Sequence, residues 1–449
     1  MNTNNYKNVW LGFLALTIVF LFACKKNDPG GVQPDDPTTT DYVKNMHHPC
    51  MLHTDADFTF VKSKIQASAQ PWTNAYNHLT ASKHAASSWT PQPVVKLARL
   101  DQTNWQSTYP NDWSNYTNLM YDAASAYQLA LRWKLSGDDT YAVTAINILN
   151  SWAKKCTGYI VNSTGDFIDP NEYLIAIQIH QLANAAEILR ASDKWSSTDF
   201  EAYKKWMVDV FYKQASRFLQ THNNTACSLH YWLNWDLANM TAILSIGILT
   251  DDNYKINEAI KYFKIGIGAG GIENAVPYLH KDPDSNEMLG QCNESGRDQG
   301  HATLDVSLMG VFCQMAKNVG EDLFTYDSNR AQAMCEYTGK FNIGSTESNY
   351  MMSNFTYDIS QIPFTHYTNC EYDHPAISSD SRGTVRPAWE LIHRLSSDYG
   401  LPDTYTKQWV AKMRENASRG FCDGGSGDYG PNSGGYDQLG CGTLMFAKE

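Results

Sequence analysis

Amphipathic helical segments recur in pairs along most of this chain, and each such helix must bury its apolar stripe against neighbours, which leaves few architectures open. Between residues 118 and 152, Leu119, Ala123, Tyr127, Ala130 and Leu131, then Ala142, Ile146, Leu149 and Trp152, keep helical spacing on either side of Ser136-Gly137-Asp138-Asp139. That break offers a glycine to end one helix and acids to start the next, so the segment predicts a helical hairpin. The unit returns at residues 173–189. A capping box read at Thr198-x-x-Glu201 then precedes an amphipathic helix through Tyr203, Met207, Val210, Phe211 and Phe218. Residues 237–249 and 256–267 form a third pair, and further helices are expected over 302–319, 330–341, 385–395 and 405–416. Alternating, strand-like patterning is scarce. Successive antiparallel pairs without strong sequence repeats either stack as a solenoid or curve into a ring. Two polar stretches, 268–300 and 342–386, exceed what a helix connector needs, and loops of that length tend to carry function. The expectation is a mainly α fold, an (α/α) toroid or incomplete barrel of helical hairpins, with long active-site loops.

The ends and the composition set the context. Lys7 precedes an apolar run from Val9 to Ala23 that closes on Leu21-Phe22-Ala23-Cys24. This reads as a lipoprotein signal peptide over residues 1–24 with Cys24 acylated, so the membrane is met only through that lipid. Residues 25–41 read as a flexible tether and 42–449 as the toroid domain of an exported protein, in the periplasm or on the outer-membrane surface of a Gram-negative bacterium. The net charge of −12 excludes a general nucleic-acid binder, and a polyanion would need a local cluster of Arg, Lys and amide groups. An aromatic content of 12% suits stacking on sugar rings, although any single ring is more often core. The ten cysteines contain no CxxC pair, which argues against a zinc ribbon or thioredoxin-type site; Cys422 and Cys441 flank a glycine-rich loop and are a candidate disulfide. No cofactor or metal is called for. His47 and His48 are adjacent, while His222, His230, His301, His366 and His374 meet only through tertiary structure.

Three polar constellations stand out. The first, His230-Tyr231-Trp232-Leu233-Asn234-Trp235-Asp236-Leu237-Ala238-Asn239, runs into an apolar helix with Asn234 at its start and Asn239 about one turn on. An isolated Asn or Asp there is a helix cap, but the density of His, Tyr, Trp and Asn points to a site. In the second, Glu294-Ser295-Gly296-Arg297-Asp298-Gln299-Gly300-His301, Arg297 and His301 are four apart and share a helix face. The bland reading is a salt-bridged cap in which Glu294 or Asp298 pairs Arg297. The third is Phe364-Thr365-His366-Tyr367-Thr368-Asn369, followed by Tyr372, His374, Arg382 and Arg386.

The opening His48-Pro49-Cys50-Met51-Leu52-His53-Thr54-Asp55-Ala56-Asp57-Phe58, with Gln70-Pro71-Trp72 after it, resembles the start of the alginate-lyase superfamily of toroidal polysaccharide lyases. Asn234-Trp235 and the 294–301 segment are similar to polysaccharide lyase family 38, whose members act on polyuronates such as alginate and glucuronan. The resemblance runs from His48 to the C-terminus, where residues 429–437 also fit. Thr221-His222-Asn223-Asn224 departs from the Asn-Asn-His signature of other alginate lyases, so that signature's site is not carried over.

The resemblance implies β-elimination on an acidic polysaccharide, leaving 4,5-unsaturated uronate ends. Removing the proton at C5 beside a charged carboxylate requires donors that stabilise the developing dianion, a base near C5 and an acid near O4. Asn234 and Arg297 are the candidate neutralisers, His301 the base and Tyr367 the acid; Tyr231 and Tyr357 are alternative acids and His230 an alternative base. His230, Tyr231, Trp232, Asn239, Glu294, Gln299 and Arg382 are the expected substrate contacts. Two rivals stand beside this reading. One is an α/α-toroid glycoside hydrolase using Glu294, Asp298, Asp236 or Glu172, whose product would be saturated; the other is a surface glycan-binding lipoprotein that leaves its polymer intact.

Overall fold

Thr54 opens the first helix, α1 (Asp55–Gln66), with a reciprocal cap: its hydroxyl oxygen accepts the Asp57 N–H while the Asp57 carboxylate accepts the Thr54 N–H. The computed structural model describes residues 41–100, 115–343, 359–431 and 433–448. Cys24 with the rest of the expected leader, the expected tether up to residue 40, and Tyr357 lie outside the described residues. The folded body begins at Asp41, and the Tyr42 N–H is bonded to the Asn257 side chain.

After α2 (Trp72–Ala81), α3 (Tyr116–Ser136) and α4 (Asp139–Lys155) form the expected hairpin. Gly137 ends α3 at φ +77°, where a side chain would be strained, and Asp138 caps α4 by accepting the Thr140 N–H. The next helix, α5 (Ala176–Leu189), starts later than its apolar pattern, because Pro170 and the Asp169 cap hold Pro170–Ile175 as a 3-10 turn. α6 (Ser197–Trp206) is capped by Ser196, which accepts the Asp199 N–H, and not by the expected Thr198. Ser196 is the last extended residue before the helix, so its hydroxyl is the one that faces the free N–H groups. α6 continues through a π turn, Met207–Tyr212, into α7 (Lys213–Thr221).

The remaining long helices are α8 (Leu233–Leu249), α9 (Asn253–Ile265), α10 (Gln299–Asn318), α11 (Tyr326–Asn342), α12 (Trp389–Tyr399) and α13 (Thr404–Met413). α8, α9 and α10 begin three or four residues before their apolar patterns, since their opening turns carry polar residues that a hydrophobic period does not register, whereas the regular part of α11 starts at Arg330 as expected, after Asp327, Ser328 and Asn329 at positive φ. α12 begins after its pattern because Pro387 disfavours helix at the residue before it. Two small antiparallel hairpins interrupt the helices: β1 (Tyr278–Lys281) with β2 (Met288–Gln291), and β3 (Tyr367–Thr368) with β4 (Asp373–His374), where Tyr367 pairs with His374.

Inner helices α3, α5, α8, α10 and α12 pack in succession. A short helix, Gly442–Met445, carries the contact from α12 to α1 and α2, which touch α3 and close the ring. α4, α7, α9, α11 and α13 lie against these as an outer layer. Burial follows the layering: all of α5 is buried, and all of α8 except Trp235. The fold is an α/α toroid, one of the two arrangements that the paired periodicity allows.

Asp398 ties three parts of the ring together. Its carboxylate takes Arg394 of α12 at 2.9 Å, Lys317 of α10 and Lys448 near the C-terminus. Burial pushes this carboxyl up, but the three cations push it down further, to about 2. A carboxyl depressed in the folded state contributes stability that is present above its unfolded pKa and is lost as pH falls through the folded one. Asp398→Asn is therefore expected to cost about 1–2 kcal/mol at pH 7, with the gap to wild type closing between about pH 4 and pH 2 in denaturant titrations.

Candidate active site

The first turns of α8 and α10 meet at one carboxylate. Glu294, fully buried, accepts the Asn234 N–H at 2.9 Å through Oε1 and the Arg297 Nη1 at 2.7 Å through Oε2. The Asn234 N–H belongs to the turn of α8 that has no intrahelical acceptor, and Trp232 at the cap position supplies none from its side chain. Glu294 thus caps α8 from sixty residues away while neutralising Arg297. Burial raises its carboxyl above the ordinary value, against the pull of Arg297, His301 and the Asn234 N–H.

Arg297 extends the arrangement to the imidazole. Its Nη2 lies 3.2 Å from His301 Nε2, and its guanidinium carbon is 5.1 Å from the centre of the Trp232 ring. Asp298 caps α10: Oδ1 accepts the His301 N–H at 2.8 Å, and Oδ2 lies 2.6 Å from His301 Nδ1. A guanidinium only donates, so Nε2 offers its lone pair and the ring proton sits on Nδ1, toward Asp298. His301 is then a neutral imidazole in one tautomer, with a side chain 37% exposed. Burial pushes the Asp298 carboxyl up, and its bonds to His301 bring it below the ordinary value.

An aromatic wall stands beside this set. Trp232 stacks on Tyr372 at 3.9 Å between ring centres and lies 5.5 Å from His374. The Tyr372 hydroxyl donates to the His230 carbonyl at 2.8 Å. Tyr367 is buried, its phenol oxygen accepts from Asn369 Nδ2 at 3.2 Å, and burial chiefly, with a contribution from Glu294, raises its pKa. Such a phenol keeps its proton, which suits an acid. Asn234 Oδ1 and His374 Nε2 are buried with no hydrogen-bond partner among the described residues, as groups waiting for a ligand would be.

Asn234, Glu294, Arg297, His301 and Trp232 therefore come together, with Tyr367 in electrostatic range of Glu294. The 294–301 segment forms the salt-bridged cap of the bland reading, and that cap sets where Arg297 and His301 stand. His230 faces Glu371 at 2.6 Å, and Tyr231 packs on Phe218 and Trp235 while accepting from Asn223. Three expected substrate contacts are instead bonded within the protein. Asn239 donates to the Trp235 and Tyr173 carbonyls; Gln299 donates to Ser295 and Ser378 and accepts from Asn342; Arg382 donates to the Phe341 carbonyl. Each bridges elements that a linear reading cannot see as neighbours. Sequence reasoning missed Asp298 as the group that orients His301, although its three-residue spacing is that of a cap. Asp236 is buried and holds Tyr262 and the Gly270 N–H, each at 2.8 Å.

The cysteines differ from expectation. Cys227, ahead of α8, is bridged to Cys370 in the turn between β3 and β4, while Cys422 and Cys441 are free; Cys422 Sγ bonds the Arg419 carbonyl. The bridge fastens the hairpin bearing Tyr367, Tyr372 and His374 to the entrance of α8.

The model of the alginate lyase family matches residues 61–342. The chain belongs to the alginate lyase family. It is a polysaccharide lyase, and its ring is shared with solved members. Alginate lyase A1-III from Sphingomonas species A1 is 15% identical and superposes with a TM-score of 0.57 over 93% of this chain and 100% of that one. The A1-III variant with histidine replaced by alanine, complexed with tetrasaccharide, gives the same score over 93% and 99%. An alginate lyase from Bacteroides ovatus is 14% identical, with a TM-score of 0.57 over 90% and 100%. At such identities the likeness is one of fold. No curated protein sequence matches the chain.

For this lyase the bridge between Cys227 and Cys370 carries a prediction. Cys370→Ser is expected to cost about 2–4 kcal/mol of stability and to lower kcat/KM, whereas Cys422→Ser leaves kcat/KM near wild type. Thermal melts and steady-state rates, with and without reductant, check both.

Proposed function

We propose that this lyase cleaves uronate polymers of the alginate or glucuronan type by β-elimination at the Asn234, Arg297 and His301 cluster. The observation that carries the reading is the contact between Arg297 Nη2 and the unprotonated His301 Nε2. A uronate carboxylate that draws Arg297 onto itself, with Asn234 as second neutraliser, frees the Nε2 lone pair next to the carbon α to that carboxylate. That carbon is C5. His301 takes its proton, the electron pair forms the C4=C5 double bond, the C4–O4 bond breaks, and Tyr367 protonates the departing oxygen. Asp298 holds the imidazole in the tautomer this needs and stabilises the imidazolium that forms. Trp232 and Tyr372 offer a stacking wall for the sugar.

The hydrolase rival is less well supported. Glu294, Asp298 and Asp236 are each bonded to donors within the chain, and Glu172 is fully buried. The leader sequence supports an exported, Cys24-anchored enzyme meeting its polymer at the cell surface or in the periplasm; lipid labelling that is lost in Cys24→Ser tests this.

Ultraviolet absorbance recorded on mannuronate, guluronate and glucuronate polymers tests the chemistry, since a new C4=C5 bond absorbs and a hydrolytic product does not. Absorbance should rise on at least one of them. His301→Ala and Asn234→Ala are expected to fold and to lose about 10²–10⁴-fold in kcat. Asp298→Asn is expected to lose about 10²-fold with a changed pH profile, because its amide can no longer fix the Nδ1 proton. Near-native turnover in His301→Ala, or saturated products, would remove the proposal.

A further inference from the structure

We propose that His48, Cys50 and Glu187 form a site for a zinc-like divalent cation that fastens the segment ahead of α1 to the end of α5. Their ligand atoms, His48 Nδ1, Cys50 Sγ and a Glu187 carboxylate oxygen, all lie within 4.8 Å of one another. Nδ1 and Sγ are 3.6 Å apart, close to the ~3.5 Å that a tetrahedral ion with bonds of about 2.0 and 2.3 Å would set. Glu187 Oε1 is 2.5 Å from Nδ1, a hydrogen-bond distance that needs to open by roughly 0.8 Å to admit the ion.

Independent features around the three ligands suit a cation. Asp251 Oδ1 lies 2.6 Å from His48 Nε2, so it can hold the ring proton there and leave Nδ1 with its lone pair outward, as carboxylates behind metal-bound histidines do. The charges close as well. A thiolate and a carboxylate balance a divalent ion, and Arg190, 3.2 Å from Glu187 and 3.3 Å from Asp251, balances Asp251. Cys50 and Glu187 are buried, whereas the His48 side chain is 18% exposed and leaves a way in from solvent. One sulfur, one imidazole nitrogen and one carboxylate oxygen favour zinc over calcium or magnesium, which prefer oxygen alone.

The site is structural in its placement. Asp251 follows the C-terminal end of α8 and Asn234 stands in its first turn, so the two lie about 25 Å apart along the helix. The ion would bind two separate stretches of chain, the lead into α1 and the end of α5, and through Asp251 behind His48 would also tie in the turn between α8 and α9.

Zinc uptake by the full chain, stripped with chelator and titrated by calorimetry at neutral pH, tests this. One zinc per chain is expected, with a melting temperature raised by several degrees and kcat on polyuronate changed less than twofold. Cys50→Ser and Glu187→Gln should weaken uptake by at least tenfold, and Cys441→Ser should leave it unchanged. Cobalt gives a second readout that does not depend on a variant folding: the wild-type chain should show a thiolate-to-cobalt charge-transfer band in the near ultraviolet. Absence of that band, or zinc binding in folded Cys50→Ser equal to wild type, would overturn the proposal.

Discussion

One buried carboxylate organises the active end of the ring. Glu294 accepts the free N–H at the start of α8 and the guanidinium of Arg297 just ahead of α10, and so locks two inner helices at their N-termini. A carboxylate in that position is tolerable only while both donors hold it, since an unpaired buried charge costs several kcal/mol, roughly 3–5 when one partner is removed. The same bonds hold the groups to which the chemistry is proposed to belong. Arg297 is held against His301 Nε2, Asp298 against Nδ1, and the imidazole is left with one orientation and one basic nitrogen. Two helix N-termini at this point also bring the positive ends of their dipoles together.

The toroid makes such a meeting possible. Two of its inner helices, α5 and α8, are buried almost all round, so their registers are fixed by packing, and residues at their ends are presented from rigid supports. Loops alone would not hold an amide, a guanidinium and an imidazole to the tolerances of proton transfer. The hairpin wall is fastened separately by the bridge between Cys227 and Cys370 and by the stack of Tyr372 on Trp232. The proposed site and the hairpin wall thus have different anchors.

Much of this was legible in the residues. The paired helical period announced the hairpins, and the spacing of Arg297 and His301 announced a shared face, because both are local properties of an α-helix. Asn234 was visible at a helix start for the same reason. What escaped depended on partners distant in sequence. Asn239, Gln299 and Arg382 look like substrate ligands in a polar stretch, yet each is drawn to a carbonyl or amide brought near by folding. The disulfide partner of Cys227 lies 143 residues on, and no spacing rule reaches it. At Ser196 the error was smaller: two adjacent segments both offered a hydroxyl and an acid three residues later, and backbone conformation chose between them.

The most direct measurement is a crystal structure of the His301→Ala chain with a uronate tetrasaccharide bound. The account predicts one uronate carboxylate contacting Asn234 and Arg297, with its C5 hydrogen directed at the space the imidazole leaves and its ring against Trp232. An oligosaccharide seated with no carboxylate at Arg297 would contradict it.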